Sequence, residues 1–495
     1  MNSKLKYLGK NTALFAISSF ATKILSFFLV PLYTSTLTTS EYGTADLITT
    51  TATLLVYILT INIADSVTRF TLDVQNGVDR NKVVEGKKIV KHSTGAVSAR
   101  MEQQAILSYG NRIITIATLV CTLVLGILCW SGLVAWPAYY YIFLLLYFFS
   151  SAFYQMMANY LRGTDKVSSV AIAGVIAGFS SIACNVIFLL GLKWGIIGYL
   201  LAMVMGPLIA SGYCVVVAGA PLKTYLVNTC SDLMRREMRR YCVPLIFNNV
   251  ALWINAFLDR YFVTAICGVD QNGVYSVASK IPTILSTGYS IFGQAWNLSA
   301  IKEFDPEDKD GFFGKTYSVY NATMVILCSV IILFNVPLAR FLYAKDFFEA
   351  WRYSSVLLIS IMFNALTMFV GSVFAAVKKT KVIAWTTVIS AICNTILNSL
   401  LIPVMGPLGA AIATAAAYGV MWTVRMIYSR RFIHFKTNLV RDCLMYGVVC
   451  LQVICEHLQG HFYIGQVGCL MILIIVYRKT IWTILDRVVV KRFNN

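Results

Sequence analysis

Apolar segments of about 20 residues or more recur along the whole chain, and polar or basic stretches separate them. A helix needs about 20 apolar residues to cross a bilayer, and only helices or closed barrels satisfy their backbone groups in lipid. The pattern therefore predicts an all-α integral membrane protein with about fourteen transmembrane helices. The predicted spans, numbered in order, are 11–37, 44–71, 111–135, 137–161, 168–192, 194–219, 241–267, 274–300, 316–338, 353–377, 382–404, 406–428, 440–456 and 461–477.

Composition agrees with this pattern. Of the 495 residues, 58% are hydrophobic and only 13% are charged, which is too little polar surface for a soluble protein of this length. The net charge of +19 would suggest nucleic acid in a soluble protein, but here the basic residues cluster between apolar segments. We therefore expect no nucleic-acid partner. The 13 cysteines lie mainly in apolar segments without Cys-x-x-Cys spacing, so we expect neither a disulfide framework nor a metal site.

The distribution of Lys and Arg predicts the orientation. With both termini in the cytoplasm, about 33 of these residues fall on the inner side and about 4 on the outer side. Cytoplasmic loops of membrane proteins carry such an excess of Lys and Arg. The sequence therefore predicts an even number of spans and cytoplasmic N- and C-termini.

Two sequence echoes predict an internal repeat. Gly195-Ile196-Ile197-Gly198 is echoed by Gly406-Pro407-Leu408-Gly409, and Glu41-Tyr42-Gly43 is echoed by Gly273-Val274-Tyr275. Separations of about 210 to 230 residues map spans 1–6 onto spans 7–12 in the same orientation. Chance similarity among closely packed Gly/Ala-rich spans is the alternative. The predicted divisions are an N-terminal lobe, a basic cytoplasmic linker, a C-terminal lobe and a final helix pair with a basic tail: 1–219, 220–240, 241–437 and 438–495.

Six ionisable residues inside predicted spans are the candidate functional residues. Charges in hydrocarbon are costly and mostly face a bundle interior or a wet cavity. The alternative is that Arg69 snorkels to the inner interface and pairs with Asp65, and that Lys280 snorkels to the outer one. The six residues are Lys23, Asp65, Arg69, Asp259, Arg260 and Lys280.

Cations outnumber acids in this set, which favours an anionic substrate. Arg and Lys donors suit a phosphate or diphosphate, and burial strengthens each charge-assisted hydrogen bond. We expect substrate contacts at Lys23, Arg69, Arg260 and Lys280. Asp65 or Asp259 is expected to take up a coupling H⁺ or Na⁺, and no other cofactor is expected.

The motifs of several spans together resemble one family. The opening Asn11, Phe15, Lys23 and Pro31, the Glu41-Tyr42-Gly43 motif, Gly273-Val274-Tyr275-Ser276 with Lys280, and Gly406-Pro407-Leu408-Gly409 are similar to those of Wzx-type oligosaccharide flippases. These flippases are the polysaccharide-biosynthesis members of the multidrug/oligosaccharidyl-lipid/polysaccharide exporter superfamily. The resemblance covers spans 1–12, and the extra pair after Arg441 is similar to that of lipid II flippases.

The resemblance implies two pseudo-symmetric six-helix lobes around a central cavity, with two further helices at the C-terminus. It also implies a flippase, not an enzyme, that moves undecaprenyl-diphosphate-linked oligosaccharide across the bacterial cytoplasmic (inner) membrane by alternating access. The destination would be a surface polysaccharide such as lipopolysaccharide O-antigen, capsule or exopolysaccharide. The expected partners are the lipid-linked oligosaccharide, the bilayer, and a polysaccharide polymerase and glycosyltransferases.

Three alternatives stay open. The chain could flip a lipid II-type or teichoic-type precursor, or it could be a MATE-like drug or cation antiporter, for which acids should dominate the cavity. It could also be a membrane glycosyltransferase or polymerase. Asp308-Lys309-Asp310 imitates an Asp-x-Asp metal site, but its short charged loop indicates a solvated turn.

Overall fold

A computed structural model shows helices joined by turns, with no strand in the residues that it describes. These residues are 27–76, 96–133, 136–227, 229–458 and 463–493. The helices are α1 Val30–Thr36, α2 Thr39–Leu59, α3 Ile63–Gln75, α4 Ala96–Ser131, α5 Ala138–Gly163, α6 Val167–Asn185, α7 Gly195–Ala218, α8 Leu222–Leu226, α9 Asp232–Cys267, α10 Val269–Ala278, α11 Pro282–Lys302, α12 Phe312–Leu333, α13 Asn335–Leu342, α14 Trp351–Ala376, α15 Thr380–Met405, α16 Pro407–Ser429, α17 Leu439–His457 and α18 Tyr463–Phe493. A π-helical segment, Val186–Gly191, follows α6, and a 3₁₀ segment, Lys345–Ala350, precedes α14.

Eleven helices of the described residues are long and apolar enough to cross a membrane. The predicted all-α membrane fold is thus confirmed, whereas the count of fourteen is not. Three predicted spans fall outside the eleven. Span 1 lies mostly outside the described residues, span 8 is divided between α10 and α11, and span 13 corresponds to α17, which carries Arg441, Asp442 and Glu456.

The chain divides into two compact units. Among the described residues, the first unit contains Thr44–Trp253, and the second contains Val30–Gly43 and Ile254–Asn495. The lobe boundaries predicted from the sequence, at 219 and 240, stay a prediction.

Two predicted spans are interrupted near charged residues. Span 2 breaks between α2 and α3, where Ile61 and Asn62 both have positive φ, of 48° and 55°. This left-handed conformation is tolerated by Asn and strained for a β-branched Ile. Span 8 breaks between α10 and α11, where Pro282 occupies the first turn of the new helix and Lys280 lies in the break. Each interruption therefore places a polar or charged side chain at the junction of two helices.

Two glycines of the predicted repeat contact each other's helices in the second unit. A Cβ on Gly43 of α2 would lie 2.2 Å from the carbonyl oxygen of Val269, and a Cβ on Gly273 of α10 would lie 1.9 Å from that of Thr39. Asn272 Nδ2 donates to the Gly43 carbonyl oxygen at 3.1 Å. Small residues allow such close approach of membrane helices. Any side chain at either glycine would separate α2 from α10.

Polar pairs attach helix α17 to α12 and α13. Tyr446 hydroxyl donates to Asn321 Oδ1 at 2.6 Å, Ser329 hydroxyl donates to Gln452 Oε1 at 2.6 Å, and Asn335 Nδ2 donates to Glu456 Oε1 at 2.8 Å. Interhelical hydrogen bonds of this kind contribute about 0.6 to 2 kcal/mol each in a membrane. They bring Glu456 and its neighbours to one end of the second unit.

Candidate functional site

The first unit contains a cavity of about 560 Å³ with many polar side chains in its wall. Helices α2 and α3 contribute Tyr57 and Asp65, and α5 contributes Tyr154, Gln155 and Arg162. Arg162 is held by a hydrogen bond from its Nη1 to Asn159 Oδ1, at 2.9 Å. Hydroxyl, amide, carboxylate and guanidinium groups therefore meet in a helical unit that is otherwise apolar. We call this space the first-unit cavity.

Asp65 and Arg69 follow the break between α2 and α3, and they do not pair with each other. Asp65 is exposed and accepts a hydrogen bond from Asn62 Nδ2 at 2.6 Å. Arg69 Nε lies 3.4 Å from Asp73 Oδ2, and the Arg69 side chain is 62% exposed. The pairing of Arg69 with Asp65 considered from the sequence is therefore wrong, because Asp73, one turn further along the helix, takes that place.

Asp259 of α9 lies in a buried polar cluster of the second unit, and its side chain is only 4% exposed. Tyr275 hydroxyl donates to Asp259 Oδ2 at 2.5 Å, and Thr414 hydroxyl donates to the same oxygen at 3.4 Å. Asp259 Oδ1 accepts from the backbone N–H of Arg260 at 2.9 Å. Helices α9, α10 and α16 thus meet at one carboxylate.

Two asparagines of α15 extend this cluster. Asn394 Nδ2 donates to Thr414 Oγ1 at 3.2 Å, and Asn398 Nδ2 donates to Asn394 Oδ1 at 2.9 Å. Asn398 Oδ1 is buried and has no hydrogen-bond partner within the described part of the chain. Carboxylate, hydroxyl and amide oxygens are the donor set that hard cations prefer. The Asp259 cluster, defined as Asp259, Tyr275, Asn394, Asn398 and Thr414, fits a proton or a small hard cation by this chemistry.

The structure places two of the four predicted substrate cations on aromatic rings of the second unit. The Arg260 guanidinium carbon lies 4.9 Å from the centroid of the Phe257 ring, and Lys280 Nζ lies 6.0 Å from that of Tyr42. Both side chains are half-buried. An aromatic face attracts a cation without neutralising its charge. Of the other two predicted cations, Arg69 pairs with Asp73, and Lys23 lies outside the described residues.

Arg425 of α16 is a buried cation that the sequence reasoning missed. It is 3% exposed, and all four of its described acceptors are uncharged. Thr386 Oγ1, Thr387 Oγ1 and the carbonyl oxygens of Thr367 and Ile383 accept from its guanidinium at 2.9 to 3.2 Å. Arg425 is not among the six candidate residues chosen from the sequence, although it lies inside predicted span 12. Its position three residues before the end of that span was the available signal.

The Asp308 loop caps a helix. Asp308 Oδ1 accepts from the Phe313 N–H and Oδ2 from the Gly314 N–H, both at 2.9 Å, at the start of α12. The backbone N–H groups of Lys309 and Glu307 bind the neighbouring Asp305 carboxylate and hold its pKa below its usual value. Both Asp308 oxygens thus accept from backbone N–H groups, so helix capping explains the first aspartate of the Asp-x-Asp pattern.

Comparisons with known proteins agree with this architecture. The family described as "Polysaccharide biosynthesis protein" matches residues 8–297, which is more than half of the chain. The "Putative O-antigen transporter" of Shigella flexneri is 25% identical over 287 residues, which cover 57% of this chain and 62% of that protein. The chain thus matches less than two thirds of the length of this relative.

Two solved transporters share the fold. The lipid II flippase MurJ in an inward closed conformation is similar at a TM-score of 0.63 and 14% identity, over 95% of this chain and all of that one. A multidrug-resistance MATE transporter of the MOP superfamily, in its inward-facing conformation, is similar at 0.56 and 13% identity, over 83% and 97%. The resemblance expected from the sequence motifs is confirmed, and this chain belongs to the polysaccharide biosynthesis protein family of membrane proteins.

Proposed function

We propose that the protein is a flippase that moves undecaprenyl-diphosphate-linked oligosaccharide from the inner to the outer leaflet of the bacterial cytoplasmic membrane. The first-unit cavity carries this proposal. A drug or lipid tail would need an apolar wall, whereas Tyr154, Gln155 and Arg162 offer hydroxyl, amide and guanidinium groups. Such groups bind sugar hydroxyls and phosphate oxygens.

The proposed diphosphate contacts are Lys23, Arg69, Arg260 and Lys280. Of the three that lie in the described residues, Arg69 is exposed, and Arg260 and Lys280 are half-buried. Arg binds phosphate oxygens with two parallel hydrogen bonds, and Lys acts as a point charge. Arg69 belongs to the first unit, and Arg260 and Lys280 belong to the second.

Alternating access is the proposed mechanism, with the lipid tail staying in the bilayer. Membrane transporters often place substrate and ion sites at interrupted helices, where helix ends offer free backbone groups. The breaks at Thr60–Asn62 and at Ser279–Ile281 lie beside Asp65 and at Lys280. These two breaks are therefore the proposed points at which the helices respond to the substrate.

We assign the coupling H⁺ or Na⁺ to Asp259 rather than to Asp65. Burial of an ionised carboxylate is costly unless a proton or a cation compensates it. Asp259 is buried and accepts from the hydroxyls of Tyr275 and Thr414, whereas Asp65 is exposed. When a cation is bound, the Asp259 cluster would hold it with oxygen ligands on α9, α15 and α16.

Complementation of surface polysaccharide in a flippase-null bacterium tests the proposal. At matched membrane expression, the wild type and Arg236→Ala, a control at an exposed cytoplasmic arginine, should restore the polymer. Lys23→Ala and Arg260→Ala should each reduce restoration about tenfold or more, because a charge-assisted contact is worth about 1.5 to 3 kcal/mol. Full activity of both variants would reject the cation route. Drug resistance conferred by the wild type without polymer would favour the antiporter.

The expected setting is a multi-pass protein in the inner membrane with both termini in the cytoplasm. Its product would enter O-antigen, capsule or exopolysaccharide synthesis, with polymerase and glycosyltransferases as neighbours. Glycosyl transfer by the purified protein would contradict this proposal and favour the enzyme alternative.

A further inference from the structure

A second cavity lies at one end of the second unit, between the ends of α13, α14, α17 and α18. It has a volume of about 710 Å³, and the loop-charge bias places it on the outer face. Its wall includes Arg340, Trp351, Glu456, Tyr463 and Gln466. We call it the outer cavity. The residues that line the outer cavity include none of those that line the first-unit cavity or form the Asp259 cluster.

Two buried acceptors in this wall have unused hydrogen-bonding capacity. Glu456 is 6% exposed and Gln466 is 7% exposed. Glu456 Oε1 accepts from Asn335 Nδ2, but Glu456 Oε2 and Gln466 Oε1 are buried and have no hydrogen-bond partner among the described residues. The Ser355 hydroxyl lies beside the carboxyl, outside hydrogen-bond geometry. Buried acceptors are nearly always paired, so a donor from a ligand is expected here.

The charges at the cavity decide which class of ligand fits. The exposed Arg340 and Arg352 disfavour a free cation. The exposed Glu349 together with the buried carboxyl of Glu456 disfavours a free anion. An acyl chain would leave both acceptors unpaired. A neutral polyhydroxylated molecule offers hydroxyl donors to Glu456 and Gln466 and accepts from the arginines.

The aromatic wall points in the same direction. Trp351 is 8% exposed, and Tyr463 is 51% exposed, so a large part of the tyrosine ring is open. Aromatic side chains offer an apolar face together with a polar edge, and a pyranose ring likewise has apolar C–H faces and polar edges. Aromatic rings beside a carboxylate, an amide and arginines form a wall that suits a sugar ring.

We propose that the outer cavity is a saccharide-binding site in which Glu456 and Gln466 accept hydrogen bonds from sugar hydroxyls beside Trp351 and Tyr463. The assignment of this saccharide to the headgroup of the translocated lipid rests on the proposed function. The site would receive the sugar on the outer face and would thus act late in the transport cycle.

Cys455 gives a test that needs no substitution, because it lines the cavity. The full-length protein in lipid nanodiscs is alkylated with N-ethylmaleimide, with and without glucose, galactose, rhamnose or N-acetylglucosamine in the tens of millimolar. Peptide mass spectrometry follows Cys455, with the exposed Cys129 as reference. At least one sugar should slow alkylation of Cys455 alone, whereas open-chain sorbitol should not. Lack of protection by every sugar, or equal protection by sorbitol or Mg²⁺, would overturn the proposal.

Two variants locate the binding. Gln466→Leu and Glu456→Gln should each raise the sugar concentration for half protection about tenfold, because each removes one strong acceptor. Asp346→Asn, at an exposed carboxylate outside the cavity wall, is the control and should behave as wild type. Unchanged protection in both cavity variants would contradict the assignment. Protection without flippase activity in cells would keep the site and reject the proposed function, and activity without protection would do the reverse.

Discussion

Asp65 in α3 and Asp259 in α9 are both carboxylates inside apolar spans, and their surroundings differ. Asp65 is exposed at the wall of the first-unit cavity, with Asn62 as its hydrogen-bond donor. Asp259 is buried and accepts from Tyr275, Thr414 and the Arg260 backbone. A carboxylate at an open cavity can change partners during transport, whereas one enclosed by three helices both stabilises their packing and needs a proton or a cation to compensate its burial. Removal of each carboxylate should therefore affect different properties.

Asp259→Ala should have the largest effect. The substitution leaves the hydroxyls of Tyr275 and Thr414 without their acceptor and should lower the stability of the purified protein by about 2 kcal/mol or more. Thermal unfolding in detergent measures this, and complementation should also be lost. Asp259→Asn keeps one acceptor oxygen. The Asp259→Asn variant should recover much of the stability but not the ion-dependent transport. Recovery of both stability and ion-dependent transport would reject Asp259 as the coupling group.

Tyr275→Phe should have an intermediate effect. The change removes the 2.5 Å hydrogen bond to Asp259 but leaves the carboxyl, so we expect a loss of about 1 to 2 kcal/mol. The dependence of transport on pH or on Na⁺ should shift while transport persists. Measurement of uptake into vesicles under imposed gradients checks this. If Tyr275→Phe kept the ion dependence of the wild type, the Tyr275 hydroxyl would have no part in ion coupling.

Asp65→Asn should barely change stability, within about 0.5 kcal/mol, because the side chain is exposed and has a single described donor partner. We expect transport to fall while its ion dependence is retained. The same vesicle assay distinguishes the two carboxylates. If Asp65→Asn lost the ion dependence of transport and Asp259→Asn retained it, Asp65 rather than Asp259 would be the coupling group.

Arg69→Ala should have the smallest effect on stability. The Arg69 end of its ion pair with Asp73 is 62% exposed, although the Asp73 side chain is only 12% exposed. Pairs at i,i+4 in helices contribute about 0.3 to 0.5 kcal/mol and weaken in salt. Transport should nevertheless fall, since Arg69 is a proposed diphosphate contact. Asp73→Asn is the matched control, because it breaks the same pair and keeps the arginine. Equal transport losses in both variants would assign the effect to the ion pair.

The sequence predicted the helical membrane fold well, because long apolar stretches have few alternatives in lipid. The interruption before Pro282 was also recognisable, since a proline favours the first turn of a helix. The break at Ile61 and Asn62 was not, because neither glycine nor proline marks it. Asn62 tolerates positive φ, and its carbonyl oxygen lies 3.8 Å from Cys242 Sγ of α9, a contact that no local pattern reveals.

The sequence predicted charged residues inside the membrane spans but not the residues that they contact. The intramembrane position of Asp259 followed from the apolar run around it. Its partners Tyr275 and Thr414 are 16 and 155 residues away, a separation that no local pattern reveals. Arg162 lies one residue after predicted span 4 and Arg425 lies three residues before the end of span 12, so neither was among the six candidate charges. Arg69 showed the opposite error, since two carboxylates at i−4 and i+4 were equally compatible with the helix and only the structure selects Asp73.

The buried Arg425 has a consequence for biosynthesis. All four of its described acceptors, on Thr367, Ile383, Thr386 and Thr387, precede it in the chain. A ribosome therefore delivers helices α14 and α15 to the membrane before the guanidinium emerges. An arginine that enters lipid alone is costly, whereas one that follows its acceptors can be solvated by protein as soon as it arrives. Gly371 leaves room for the guanidinium, since a Cβ there would lie 3.1 Å from Arg425 Nη1. The order of synthesis thus matches the order in which this charge needs its partners.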